Sequence, residues 1–488
     1  MNLDPRRLDP MPFRFSPGRG PAVAASCMAA TSQPLATLAA LDVLRRGGNA
    51  VDAAISAAAV LCVAEPYATG IGGDAFALVH ADGECYALDA AGPAPMTAPR
   101  VPVPSAGADS AVVPGAVSGW QALSDRFGRW GLDACLAYSI DAAEKGVAAG
   151  FHVSNVWRGF DRAPEAFGRA PQVGEVFTLP DLGASLRAIA EGGASAFYAG
   201  DIARAISAAS WLEESDLAEY AGAKWVDPLR IRYRGVDVIE LPPPTQGIAA
   251  LEGLALLNAM EPTLVNTVRC VALALEDARR ATRDGADVSG LVTEEFVKKR
   301  LLDDPQLQAE LSGGTTYLSV VDDDGMAVSL IQSLFEPFGS GVVAPGTGIL
   351  LNNRAKCFSV GGEVIPGRRP YHTIIPGMLQ KDRTLVGPFG VVGGFIQAQA
   401  HVQLVSALVD DGLDPQAALD RPRFRTDDGR LYLEEGLWSR ADELSRAGFD
   451  SVLDDERIWF GGGQAIIVES GRILGGSDPR MDGFAAGF

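Results

Sequence analysis

The stretch Leu311-Ser312-Gly313-Gly314-Thr315-Thr316 sets two glycines directly before two hydroxyls, at the entrance to a strand-like alternation. A threonine hydroxyl is a weak nucleophile unless a base stands beside it. Making the threonine a chain terminus is an economical solution. Its own α-amine, with an ordinary pKa of about 7.7–8.0, then serves as the base near neutral pH. The peptide bond before it must first be cut. Gly314 suits that cut, because a residue without Cβ leaves its carbonyl open to close approach. Attack of Thr315 Oγ on the Gly314 carbonyl would give an ester, and water would free a new amino terminus at Thr315. The same tripeptide also reads as a glycine loop entering a hairpin whose threonines merely suit a strand.

Other chemistries find less support. The chain has no G-x-S-x-G elbow and no evident Ser/His/Asp order. Its histidines (His80, His152, His372 and His401) lack metal-ligand spacing, and its six cysteines include no C-x-x-C pair. No metal and no organic cofactor is expected. The cysteines read as free thiols of a reducing compartment.

Elements must hold Thr315 in place. "TTYLSVV" and "MAVSLIQSL" flank a turn at Asp324-Gly325. Further hairpins are predicted around Asp82-Gly83, Arg234-Gly235 and Ser470-Gly471. Helices are expected from Pro34 to the Gly47-Gly48 stop, from about 50 onward, over 116–149 and 183–208, and near 248–258, 267–283 and 292–303. "FGVVGGFIQAQAHVQLVSALV" reads as a strand running into a helix. Strand pairs and helix pairs interleave without a β-α-β rhythm, which points to an α+β sandwich of sheets covered by helices.

The composition, 47% hydrophobic and 21% charged over 488 residues, is that of a globular chain. A formal net charge of −20 argues against nucleic acid and against anionic membrane surfaces as partners. An anionic substrate would have to be met by a locally placed arginine or by backbone N–H groups. The amino-terminal residues lack the apolar core of a secretory signal, and the longest uncharged stretch, 385–409, is too polar for a membrane span. A soluble cytoplasmic protein is expected.

Several motifs resemble the γ-glutamyltransferase family in the order that family shows them: "LRRGGNAVDAAISAAAVLCVAEP", "GIGGDAFAL", "VPGAVSGW", "LPPPTQGIAALEGL", "TTYLSVVDDDGMAVSL", "FGSGVVAPGTGILLNN", "VVGG" and "GGSDPRMDG". The likeness covers roughly residues 20–488. It implies an N-terminal-nucleophile hydrolase with a four-layer αββα sandwich. One precursor would cut itself between Gly314 and Thr315 into a large chain, 1–314, and a small chain, 315–488. The two would stay together as an αβ heterodimer. By position Thr315 is the nucleophile, Gly393 and Gly394 offer backbone N–H groups to the oxyanion, and Ser333 stands where the family has a threonine that orients the nucleophile.

The departures bear on the substrate. Ala91 replaces the arginine that holds a γ-glutamyl α-carboxylate, Cys357 replaces the aspartate that holds the α-amine, Phe335 replaces an asparagine, and His372-Thr373 replace paired serines. Without a carboxylate partner a buried ammonium is costly. "NNR---FS" with "RPYHT--P" resembles a branch that includes oxamate amidohydrolase and some acylases. In that reading Arg354, His372, Thr373, Asn353 and, more loosely, Asp74 surround a small amide that bears a carboxylate and no α-amine. Arginine suits a planar carboxylate through paired hydrogen bonds. Arg354 also reads as half of a surface or interdomain ion pair, His372 as a structural histidine, and Asp74 as support for the turn in "TGIGGD". Two other functions stay open: true γ-glutamyl transfer or glutathione hydrolysis, and an uncleaved relative that only binds a ligand or partner.

Overall fold

The computed structural model describes residues 19–99, 104–307, 313–360, 363–427, 429–454 and 456–488. Fourteen strands form two main sheets: β1 (Ala22–Ala24), β2 (Met28–Thr31), β3 (Asp74–Ala81), β4 (Glu84–Ala90), β5 (Lys224–Val226), β6 (Leu229–Tyr233), β7 (Val236–Glu240), β8 (Gly314–Val321), β9 (Ala327–Phe335), β10 (Gly377–Lys381), β11 (Thr384–Val392), β12 (Gly462–Glu469), β13 (Arg472–Ser477) and β14 (Phe484–Gly487). One sheet runs β14-β2-β8-β9-β3-β4-β5, the other β1-β13-β12-β11-β10-β7-β6.

The alternation along β8 and β9 explains the layering. Tyr317 and Val321, with Ile331 and Ala327, point to the space between the sheets, where they meet Met378, Ile239 and Ile466. Leu318 and Val320, with Val328 and Leu330, point outward onto helices. Both faces are covered, so every residue of these two strands is buried. The hydroxyls on the inner face are satisfied locally, with Tyr317 Oη 2.8 Å from both Ser319 Oγ and Ser329 Oγ.

The helices over the first sheet include α1 (Pro34–Arg45), α2 (Ala50–Ala64), α3 (Ala116–Phe127) and α4 (Leu132–Lys145). All residues of α2 are buried, as its uniformly apolar sequence requires. Over the second sheet lie α5 (Gly247–Asn258), α6 (Leu264–Ala281) and α7 (Ile396–Val409). The result is the αββα sandwich of N-terminal-nucleophile hydrolases.

Two helical expectations are corrected. The stretch 116–149 breaks after Phe127, because the buried Asp52 carboxylate accepts from the backbone N–H groups of both Arg129 and Trp130 and so fixes a non-helical turn. The stretch 183–208 divides into Pro180–Gly192, Ser195–Tyr198 and Asp201–Ala209, with Gly193 and Gly200 at positive φ between them. The segments before and after Thr315 are laced together. β2 lies between β14 and β8, β9 pairs with β3, β1 pairs with β13, and β10 pairs with β7.

Candidate active site

Thr315 is the second residue of β8, an interior strand of the first sheet. The register with β9 shifts between Gly314 and Thr315, so that Gly314 faces Phe335 while Thr315 faces Ser333. This bulge sets the Gly314 carbonyl beside the Ser333 hydroxyl. Thr315 Oγ donates to Ser333 Oγ at 3.1 Å, and Ser333 Oγ donates to Gly314 O at 2.8 Å. The backbone N–H of Phe335 donates to Ser333 Oγ at 2.8 Å and holds that hydroxyl in place. Two hydroxyls thus form an ordered chain from Thr315 Oγ to the carbonyl of the residue before it. Phe335 itself has φ +82°, a conformation costly for a bulky residue.

Gly393 and Gly394 end β11 with φ +123° and +74°. The approach is close enough that a Cβ on Gly313 would lie 2.7 Å from Gly394 N. The structure therefore brings the paired glycines against the Gly313–Thr315 segment. Gly393, Gly313, Gly314 and Thr315 line one cavity of about 40 Å³ with Tyr67, His152, Val156, Ile458, Met481 and Arg480.

A second group of residues surrounds Phe335. Arg354 is wholly buried, and its guanidinium stacks 4.7 Å over the Phe335 ring. Its Nη1 donates to Thr373 Oγ1 at 3.3 Å, and its Nε faces Asp74 Oδ2 at 3.5 Å without hydrogen-bond geometry. Its Nη2 finds no acceptor. His372 Nδ1 donates to Pro370 O at 2.8 Å, and Nε2 lies 3.3 Å from the same Asp74 Oδ2. Arg354, His372, Thr373 and Asp74 are thus one cluster, and full burial sets aside the surface ion pair for Arg354. Asp74 also takes the N–H of Gly92 at 3.3 Å. Asn353 lies differently: its amide donates to Ser105 O and Glu336 Oε2 and accepts from Glu336 N, so it fastens the Glu336 turn.

Sequence reasoning passed over several neighbours. His152, Tyr67 and Arg480 line the cavity, and "GGSDPRMDG" supplies Asp482, whose carboxylate accepts the backbone N–H groups of His152 and Val153 at a helix start. Burial pushes the His152 imidazole below its usual range and the Tyr67 phenol well above its own. Glu65, buried with one oxygen bonded by Ser32, is pushed up to about 8. Arg369 reaches the segment of Ala91, but Asp89 and Asp284 hold its guanidinium. The six cysteines are buried and joined by no disulfide, and burial pushes Cys62, Cys85, Cys135 and Cys270 up to about 12, which removes these four as nucleophiles. Among the described residues no group of three or more His, Cys, Asp or Glu is arranged to hold a metal, and no helix is long and apolar enough to cross a membrane.

Known proteins resemble this chain over most of its length. The family model described as Gamma-glutamyltranspeptidase matches residues 36–488. The glutathione hydrolase-like YwrD proenzyme of Bacillus subtilis is 32% identical over 93% of this chain and 97% of its own length. The oxamate amidohydrolase proenzyme of Klebsiella pneumoniae is 32% identical over 94% and 98%. The crystal structure of cephalosporin acylase from Bacillus halodurans superposes with a TM-score of 0.92, at 37% identity and 99% coverage of both chains. The chain belongs to the gamma-glutamyltranspeptidase family and is an amide hydrolase of the N-terminal-nucleophile type.

Proposed function

We propose that this chain cuts itself between Gly314 and Thr315 and then hydrolyses small amides that carry a carboxylate, through an ester on Thr315. The observation that carries the reading is the hydroxyl chain Thr315–Ser333–Gly314 O. As Thr315 Oγ bonds to the Gly314 carbon, its proton passes to Ser333 Oγ, and Ser333 gives its own proton to the carbonyl oxygen. Collapse of the adduct breaks the C–N bond and returns that proton to the Thr315 nitrogen. Water then hydrolyses the ester, leaving a carboxyl end at Gly314 and a free amine on Thr315.

In substrate turnover that amine takes the Oγ proton and delivers it to the leaving amine, while the N–H groups of Gly393 and Gly394 hold the oxyanion. Arg354, through its unbonded Nη2, receives the substrate carboxylate. His372, Thr373 and Asp74 orient Arg354, and Asn353 supports the neighbouring turn. The products 1–314 and 315–488 remain one αβ heterodimer. Cytoplasmic residence is supported by six cysteines joined by no disulfide.

Gamma-glutamyl transfer is less well supported. A substrate ammonium needs a free carboxylate, yet Asp74 already faces Arg354 and His372, and the residue at 357 is a cysteine, not a carboxylate. Intact mass measurement of wild type and Thr315→Ala, followed by a panel of oxamate-like, acyl and γ-glutamyl amides, tests the reading. Wild type should give two chains, the second beginning Thr-Thr-Tyr-Leu, and Thr315→Ala one. A cut Thr315→Ala chain, or turnover confined to γ-glutamyl amides, would refute it.

A further inference from the structure

The amide of Gln246 joins two parts of the site that lie far apart in sequence. It is fully buried. Its two Nε2 hydrogens go to Thr373 O at 2.6 Å and Gly394 O at 3.2 Å, and its Oε1 accepts from Tyr371 Oη at 3.2 Å. Its backbone is fastened as well: Gln246 N donates to His372 O at 2.9 Å, and His372 N donates to Pro244 O at 2.8 Å. Thr373 in turn bonds Arg354 through Oγ1. One side chain from before the cleavage site therefore spans the arginine cluster and the paired-glycine turn, both of which lie after it.

A turn of two glycines at positive φ has no side chain to lock it. Among the described residues, its Gly394 carbonyl is held by Gln246 Nε2 and by the backbone N–H of Gln397, at 3.1 Å. Oxyanion donors act by being aimed beforehand, and a misplacement of about 1 Å can cost about a hundredfold in rate. We infer that Gln246 is a positioning residue: it fixes the Gly393–Gly394 donors at a set distance from the Arg354–Thr373 subsite. A carbonyl tethered by its carboxylate then meets donors already in place. This rests on the oxyanion role proposed above for Gly393 and Gly394. Self-cleavage does not share the dependence, because Gly314 O is bound by Ser333.

The test uses the full-length protein, self-cleavage followed on denaturing gels, and the acylation burst with 4-nitrophenyl acetate, an acyl donor that needs no carboxylate contact. Gln246→Leu should cut itself like wild type, yet acylate about 10- to 100-fold more slowly, with the half-saturating ester concentration changed less than about threefold. Gln246→Glu adds a pH signature. Ionised, it turns lone pairs toward two carbonyls and should be as slow as the leucine variant. Protonated, it regains one donor, so its rate should recover on the acid side in a limb absent from wild type. Acylation of Gln246→Leu within about threefold of wild type, or a loss confined to half-saturation, overturns the inference. Should Gln246→Leu not fold, the near-isosteric glutamate variant decides, and a flat acid limb overturns the inference. Gly394→Ala separates the two claims. Unimpaired acylation there removes the oxyanion reading itself, whereas an impaired Gly394→Ala beside an unimpaired Gln246→Leu removes only the role of Gln246.

Discussion

Replacing Arg354 by methionine should weaken turnover of a carboxylate-bearing amide far more than turnover of the same amide with its carboxylate esterified. Nη1 is engaged by Thr373 and Nε faces Asp74, so Nη2 is the part of the guanidinium left for substrate. A hydrogen bond between charged groups contributes about 1.5–3 kcal/mol. At about 1.4 kcal/mol per decade this is a factor of about 10 to 150 in kcat/KM. The substitution has a second effect, because Asp74 loses its cation and keeps His372 Nε2 and the N–H of Gly92, each at 3.3 Å. That loss falls equally on both substrates and cancels in a two-by-two comparison. The assay is kcat/KM for succinyl 4-nitroanilide and its methyl ester, each with wild type and Arg354→Met. The ratio of ratios should fall in the range above. A ratio within about twofold of unity would show that the carboxylate is not read by Arg354, and the substrate class proposed here would go with it.

Ser333→Ala removes the hydroxyl that both accepts the Thr315 proton and donates to Gly314 O; self-cleavage should slow by about 10²- to 10³-fold, as for loss of an oxyanion donor, and Ser333→Thr should restore most of it. Time courses of the precursor band on denaturing gels measure this, and an unchanged half-time would refute the relay. Glu65 concerns stability. Its folded value of about 8 lies above that of an exposed carboxyl, so its contribution is complete below pH of about 4.5 and fades as pH rises through about 8. Glu65→Gln should therefore flatten the loss of stability between pH of about 5 and 9, by up to about 5 kcal/mol, in urea unfolding at fixed pH values. Parallel curves for the two proteins would refute that assignment.

The sequence carried the hairpins where a glycine marks the turn. Asp82-Gly83, Arg234-Gly235 and Ser470-Gly471 all place two residues at positive φ between paired strands, as a two-residue hairpin demands. The hairpin of β10 and β11 makes the same turn with Asp382 and Arg383, φ +48° and +67°, and no local glycine announced it. Helix breaks were legible only when chain-local: nothing near Phe127 says that Asp52, far earlier in the chain, will take two N–H groups there. Gly314-Thr315 suggested a self-cutting hydroxyl from adjacent residues alone, and the resemblance to the family marked Gly393 and Gly394, because both signals lie within a few residues of chain. The burial of Arg354 against Phe335 and the reach of Gln246 were not legible, because both arise where distant strands and loops converge.

The lacing of strands across both sheets has a kinetic consequence. Before scission the pieces find one another as parts of one chain; afterwards they are separate molecules, and any full unfolding frees two polypeptides that must meet again by diffusion. Recovery from heat or denaturant then becomes second order, failing at low concentration, while the uncut Thr315→Ala chain recovers at a rate independent of dilution. On the cleavage proposed above, the cut protein would work once, its lifetime set by the ladders joining β2 to β8, β9 to β3 and β10 to β7.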